Sequence, residues 1–221
     1  MGHTVRVWDA PTRIFHWSLV ACVLGLFITG HIGGAAMEWH FRLGYTVLTL
    51  LLFRLIWGVL GGHWSRFSNF FYRPTQIIRY LLGRGMPHQS IGHNPAGSLS
   101  VWAMLGLLAI QVASGLLSDD EIAAAGPLTR HVSEWLVSRA TYYHTTLGQF
   151  GLVALLGLHL SALAFYTVVK KEPLIKAMLT GDKSLAFPAT SSSDQWSDRI
   201  KALVLVLICA ALVAAGLAWL G

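Results

Sequence analysis

Five long apolar segments divide this chain of 221 residues, and they constrain its fold more than any other feature. A run of about 18 or more apolar residues can cross the ~30 Å hydrocarbon core of a bilayer as a helix rising ~1.5 Å per residue. Only 12% of the residues are charged, whereas about a quarter are charged in soluble domains. The sequence therefore predicts an integral membrane protein with spans near residues 14–31, 41–61, 96–117, 143–169 and 200–220.

The basic residues predict the orientation of these spans. If the five spans alternate in direction, twelve of the sixteen Lys and Arg residues fall on one side of the membrane. Cytoplasmic loops carry the excess of Lys and Arg in membrane proteins, so the N-terminus is expected in the cytoplasm and the C-terminus outside it. This clustering also accounts for the net charge of +6 without a nucleic-acid partner.

Histidines within the spans form two pairs by depth. His16 lies near the cytoplasmic end of the first span, and His40 lies near the outer end of the second. The fourth span has His144 at its outer end and His159 15 residues later, about 22 Å further along the helix. Depth therefore pairs His16 with His159, the first pair, and His40 with His144, the second pair. At ~100° per residue, His144 and His159 face roughly the same direction.

Two stacked histidine pairs in an apolar bundle are typical of b-type haem binding, in which histidines fill both axial positions of the iron. Gly44 and Gly148 each follow a histidine of the second pair by four residues and are expected to leave room for a flat macrocycle. Close packing of helices is the competing explanation for these glycines. Cys22 and Cys209 lie inside spans and no C-x-x-C motif occurs, which disfavours iron–sulfur clusters and covalently attached haem.

Arg54 interrupts the second span, 14 residues after His40 and about 21 Å further along the helix. A guanidinium is costly at that depth unless it faces an anion or water. We expect Arg54 either to bind a haem propionate at the level of the first pair or to snorkel to the cytoplasmic headgroups.

His31, at the outer end of the first span, is a rival to His40 or His144 as a haem ligand. The other histidines are interpreted as polar residues of loops or of the N-terminal segment. They are His3, His63, His88, His93 and His131.

Four motifs together resemble the family of bacterial cytochromes b561 and of the b-type cytochromes of nickel-iron hydrogenases. They are VWDAPTRIFHW at 7–17, WHFRLGY at 39–45, YHTTLG at 143–148 and GLH at 157–159. The resemblance covers roughly residues 5–182 and implies two haem b groups in a four-helix core. The first and second helices would supply one ligand each, His16 and His40, and the fourth would supply two, His144 and His159. The resemblance implies that the two ligands of the fourth helix are nearer fourteen residues apart, and a local π-bulge could absorb the additional residue here.

The expected fold is all-α: an integral membrane four-helix haem-binding bundle with an additional fifth transmembrane helix at the C-terminus. Residues 1–182 would form the di-haem domain, 183–198 a polar linker and 199–221 the fifth helix. The connection that begins at Asp119, Asp120 and Glu121 is predicted to be an acidic loop followed by a short helix.

The resemblance implies electron transfer in the bacterial inner membrane between the quinone pool and a periplasmic cytochrome or an oxidoreductase subunit, with quinone as a further cofactor. No catalytic acid, nucleophile or nucleotide-phosphate loop is recognised, so no catalytic residue is assigned. One alternative is a quinone reductase that oxidises superoxide on the same scaffold. The other is a haem-free transporter of copper, zinc or nickel, although the chain lacks the Met-rich, Cys-rich or intramembrane carboxylate ligands expected of one.

Overall fold

A computed structural model describes residues 2–122 and 124–220, and its dominant elements are helices. In chain order they are α1 (Ala10–Ile32), α2 (Met37–Leu60), α3 (Pro74–Leu81), α4 (Pro95–Leu116), α5 (Glu134–Tyr142), α6 (Gly148–Val168), α7 (Leu174–Thr180) and α8 (Trp196–Leu220). Among the described residues, five helical segments, containing α1, α2, α4, α6 and α8, are long and apolar enough to cross a membrane. The predicted all-α membrane fold with five spans is confirmed.

Short elements join these helices. Single turns of 3-10 helix occur at Gly34–Ala36, His63–Ser65, Phe67–Asn69, Pro87–Ser90 and Thr129–His131. Two strands, β1 (His3–Arg6) and β2 (Asp182–Leu185), pair antiparallel, with His3 opposite Leu185 and Arg6 opposite Asp182. A turn of π-helix, Tyr143–Leu147, immediately precedes α6.

The chain divides into two compact units, each built from three stretches of sequence. The first unit comprises the N-terminal segment through His16, Arg54–Ala103 and Gly157–Val204. The second unit comprises Trp17–Phe53, Met104–Leu156 and the C-terminal segment from Leu205. Each pair of histidines predicted from the sequence lies within a single unit, the first pair in the first unit and the second pair in the second unit.

Residues of the polar segment 183–198 pack against the N-terminal arm in the first unit. Besides the β1–β2 pairing, the Asp194 carboxylate receives hydrogen bonds from Arg6, from Arg199 and from the Ala10 amide. Burial opposes ionisation of Asp194, but the hydrogen bonds and charges of these partners outweigh it, and the pKa of the carboxyl lies below its usual range. A segment predicted from composition to be a linker is thus held by strand pairing and ion pairs.

The buried carboxylate of Asp9 joins the start of α1 to the end of α2. It caps α1, because Oδ1 accepts a hydrogen bond from the Thr12 amide at 2.8 Å. Oδ1 also accepts from Trp57 Nε1 at 3.2 Å, and Oδ2 accepts from the Gly62 amide at 3.0 Å and from Ser65 Oγ at 2.7 Å. Asp9 and Ser65 are 0% exposed, so these bonds are shielded from water.

Helix starts elsewhere follow from local sequence. α4 begins at Pro95, and the Asn94 side chain caps it by accepting a hydrogen bond from the Gly97 amide at 2.7 Å. α3 likewise begins at a proline, Pro74. The acidic connection after α4 forms a tight turn with an isolated bridge between Asp119 and Ala125, and the predicted short helix follows it as α5.

Replacing Asp9 with alanine should strongly destabilise the first unit, because four buried donors would lose their shared acceptor. We expect a loss of about 3–5 kcal/mol, and a smaller loss for Asp9→Asn, which keeps one acceptor oxygen. The exposed Glu38, which pairs with Arg42 on the surface of α2, provides the control Glu38→Gln. The midpoint of thermal unfolding in detergent measures the stability of each variant, and it should fall most for Asp9→Ala, less for Asp9→Asn and least for Glu38→Gln. Equal midpoints for Asp9→Ala and Glu38→Gln would contradict this order.

Candidate functional site

The imidazoles of His40 and His144 face each other in the second unit. Their ring centres are 6.1 Å apart and their planes are inclined at 85°. Two imidazoles that bind one metal ion from opposite sides have centres about 6.2 Å apart, since each metal–nitrogen bond is about 2.0 Å and each centre lies about 1.1 Å beyond its nitrogen. The spacing of the second pair therefore fits two axial ligands of one iron.

Hydrogen bonds fix which nitrogen of each ring can bind a metal. Nδ1 of His40 lies 3.1 Å from the Leu26 carbonyl oxygen, and Nδ1 of His144 lies 2.8 Å from the Gln111 carbonyl oxygen. A carbonyl oxygen only accepts hydrogen bonds, so Nδ1 carries the proton in both rings. The lone pair is consequently on Nε2, and the carbonyl holds the ring in position, as is usual for histidine ligands of metals.

A cavity of about 510 Å³ adjoins the second pair and is lined mainly by apolar side chains. Its volume lies within the ~300–1,000 Å³ range of ligand and cofactor pockets. Gly44 borders the cavity, and a Cβ added to it would meet no atom within 4 Å, so the absence of a side chain keeps this space open.

Two further glycines lie directly against the rings of the second pair. A Cβ on Gly30 would approach the His40 ring to 3.2 Å, and a Cβ on Gly115 would approach Cε1 of His144 to 2.7 Å. Neither glycine was singled out from the sequence, because only contacts across helices reveal what they face.

His144 lies in the π-turn Tyr143–Leu147, which confirms the predicted π-bulge. The wider turn absorbs the additional residue between His144 and His159 while His144 still faces His40. Gly148, which was predicted to leave room for a macrocycle, has a different neighbour from Gly44. A Cβ on Gly148 would collide with Oε1 of Gln111 and approach Tyr143 to 2.8 Å.

The first pair, His16 and His159, lies in the first unit. Both residues are half-buried, and they are close enough for their charges to interact. Arg54 belongs to the same unit and is only 3% exposed. This burial does not fit the alternative in which Arg54 snorkels to headgroups.

The guanidinium of Arg54 has a nitrogen that donates no hydrogen bond. Nη2 donates to the Ser65 carbonyl at 3.1 Å, and the group stacks over the Phe67 ring at 4.6 Å. Nη1 is buried and has no hydrogen-bond partner. A buried donor without an acceptor is costly, so this atom fits an anionic group such as a haem carboxylate.

The interpretation of His93 as a polar surface residue is wrong. The centre of its ring lies 4.5 Å from the ring centre of Trp8 and 4.5 Å from that of Phe70. Its Nδ1 is buried and has no hydrogen-bond partner. Its charge would interact with those of Arg54 and His16. No sequence pattern indicated this position, because His93 follows a polar loop and its aromatic neighbours are distant in the chain.

Two of the other histidines, His31 and His63, make contacts of their own. His31 lines the cavity of the second unit but is exposed, and its Nδ1 lies 2.8 Å from the Phe27 carbonyl of its own helix. His63 packs edge-on against Trp64. Within residues 2–122 and 124–220, no group of three or more His, Cys, Asp or Glu side chains is arranged to hold a metal ion.

Comparison with known proteins gives a family match over most of the chain. The sequence model of the prokaryotic cytochrome b561 family matches residues 7–181. Among curated proteins, the chain is 23% identical to the probable Ni/Fe-hydrogenase B-type cytochrome subunit of Bradyrhizobium diazoefficiens, over 81% of this chain and 86% of the relative. It is 24% identical to the probable Ni/Fe-hydrogenase 1 B-type cytochrome subunit of Escherichia coli K12, over 86% of this chain and 94% of the relative. No solved structure matches.

Gly115→Ala should displace the His144 ring, because the new methyl group would lie 2.7 Å from Cε1. We expect about 1–3 kcal/mol of strain and a lower occupancy of the haem predicted at the second pair. Gly106→Ala on the same helix is the control, since a Cβ there meets no atom within 4 Å. Haem content per chain measures the effect, and equal occupancy in the two variants would show that the ring is not confined by Gly115.

Proposed function

The chain belongs to the prokaryotic cytochrome b561 family, and on that premise we propose that it is a di-haem electron carrier of a bacterial inner membrane. Family membership makes it a membrane b-type cytochrome that transfers electrons. The number of haems, the quinone and the partner are the proposed refinements. The observation that carries the proposal is the His40–His144 pair, whose rings face each other at the spacing of two axial ligands.

The second pair would hold one haem b through the Nε2 atoms of His40 and His144. Bound haem iron supplies one-electron exchange between its ferric and ferrous states. The protein's part is to keep Nδ1 of each ring hydrogen-bonded to a carbonyl and to leave Gly44 without a side chain beside the cavity. With both axial positions filled by histidine, the site favours electron transfer over oxygen binding.

The first pair would hold the other haem b, with Arg54 as the partner of its propionate. Support comes from the closeness of His16 and His159 and from the buried Nη1 of Arg54 that lacks an acceptor. A carboxylate there would satisfy the guanidinium in a region of low polarity, where a charge-assisted hydrogen bond is strong.

The proposed orientation puts the N-terminus in the cytoplasm and the C-terminus outside it. All twelve basic residues that the sequence assigns to one side of the membrane belong to the first unit. The acidic residues Asp119 and Asp120 belong to the second unit and line its cavity. Their charges oppose the approach of an anion such as superoxide, so the carrier is favoured over the superoxide-oxidising alternative.

We propose a quinone or quinol as the redox substrate within the bilayer and a redox enzyme subunit or periplasmic cytochrome as the other partner. The relatives quoted above bear the name of hydrogenase cytochrome subunits, which supports an oxidoreductase as that partner. The acidic turn at Asp119 and Asp120 would suit a partner with a basic contact surface.

Quinol oxidation tests the substrate. In proteoliposomes containing the haem-loaded protein, ubiquinol or menaquinol should reduce the haem, as followed by its visible absorption bands. If dithionite reduces the haem fully but neither quinol does, the assignment of quinone as redox substrate is wrong.

Single histidine substitutions test the ligand assignment. His159→Ala and His144→Ala should each lower the haem content from two to about one per chain, because each removes one axial ligand of one pair. His88→Ala, which removes an exposed loop histidine, is the matched control and should retain both haems. A pyridine haemochrome assay gives the count. Full haem content in either ligand variant would contradict its assignment.

A further inference from the structure

The π-turn that carries His144 leaves its main-chain carbonyl without the usual helical donor. In a regular α-helix the amide of residue 148 would donate to the carbonyl of residue 144. Here the Gly148 amide donates to the Tyr143 carbonyl instead. The side chain of Gln111 supplies a donor from α4, since its Nε2 donates to the His144 carbonyl at 2.8 Å.

We infer that Gln111 is a positioning residue that clamps the π-turn and thereby sets the orientation of the His144 imidazole. Gln111 contacts His144 at two points: its side-chain amide donates to the His144 carbonyl, and its own carbonyl accepts from Nδ1 of the ring. Gln111, a residue of α4, thus holds both the backbone and the imidazole ring of His144. The inference rests on the proposed function, in which His144 is an axial ligand.

Two neighbouring residues, Gly148 and Ser114, support the contact between Gln111 and His144. Gly148 has no side chain where the Gln111 amide lies across the helix, because a Cβ there would collide with Oε1. Ser114 donates to the Gln111 carbonyl at 3.0 Å and so fixes the acceptor of the ring. The glycine four residues after His144 therefore makes room for Gln111.

The contact between Gln111 and His144 should affect the redox potential of the haem, because it sets the orientation of the His144 imidazole. The plane of His144 is inclined at 85° to that of His40, and the angle between axial imidazole planes governs the EPR anisotropy of a low-spin ferric haem. The strength of the hydrogen bond at Nδ1 tunes the basicity of the ligand and hence the haem potential. Loss of the side-chain donor should let the π-turn shift and change the orientation of the His144 ring, although the main-chain carbonyl of residue 111 still accepts from Nδ1 and both histidines remain present.

Gln111→Met tests the inference, because methionine keeps the length of the side chain but cannot donate to a carbonyl. Gln111→Ala is the second variant, since it also removes the donor and cannot crowd Gly148. Ile110→Met is the matched control, because Ile110 is the adjacent residue and its side chain is 54% exposed. Gly148→Ala perturbs the same contact from the opposite side, as its methyl group would displace the amide.

In the haem-loaded protein, we expect the EPR signal and midpoint potential of one of the two haems to shift in Gln111→Met, Gln111→Ala and Gly148→Ala. The other haem and the Ile110→Met control should be unchanged. A folded Gln111 variant with both signals and both potentials of the unmodified protein would overturn the inference.

Hydrogen exchange of the haem-free protein gives a readout that does not depend on haem. Amides around residues 141–150 should exchange faster in the Gln111 variants than in Ile110→Met, because the π-turn loses its side-chain donor. Equal exchange rates would overturn the clamp. If the unmodified protein bound no haem at the second pair, the proposed function would fail while this exchange experiment still decided the role of Gln111.

Discussion

The hydrogen bond from Nδ1 of each second-pair histidine to a main-chain carbonyl decides what these side chains can bind. A neutral imidazole has one N–H and one nitrogen lone pair, and the carbonyls of Leu26 and Gln111 accept a hydrogen bond from Nδ1–H of His40 and His144. Both lone pairs are then on Nε2, in rings whose centres are 6.1 Å apart. Gly30 and Gly115 lie directly against these rings, and the π-turn carries His144.

The N-terminal motif VWDAPTRIFHW combines structural and functional roles. Asp9 caps α1 by accepting from the Thr12 amide, and the side chains of Asp9 and Thr12 bind residues that follow α2. His16, one turn after Thr12, belongs to the first pair. The buried network around Asp9 fixes the first turn of α1 and, through it, the position of His16. The resemblance detected from this motif thus reflects the packing of a helix start as well as a ligand.

Much of this architecture was predictable because membranes impose simple rules. Span length and the depth of His16, His40, His144 and His159 follow from counting along the chain, and the additional residue in the fourth helix follows from the resemblance to the family. The bulge at His144 was expected from a spacing of fifteen residues, and the structure confirms it. Hydrophobic periodicity and the depth of a residue in the membrane are enough to predict the spans and the histidine pairs, because every span has the same α-helical geometry.

Contacts between distant segments were beyond sequence reasoning. The roles of Gln111 and Gly115 depend on which residue of α4 lies against the π-turn, and apolar periodicity does not give that register. His93 was misjudged because its aromatic neighbours, Trp8 and Phe70, are remote in sequence. Likewise, composition alone did not indicate that residues 183–198 pair with the N-terminal arm.

A redox-titrated visible spectrum of the purified protein, combined with a pyridine haemochrome count, tests the central claim most directly. Two haem b groups per chain, both six-coordinate and low-spin, are predicted from the two histidine pairs. A preparation that is correctly folded and saturated with haem but contains only one group per chain, or none, would contradict the claim.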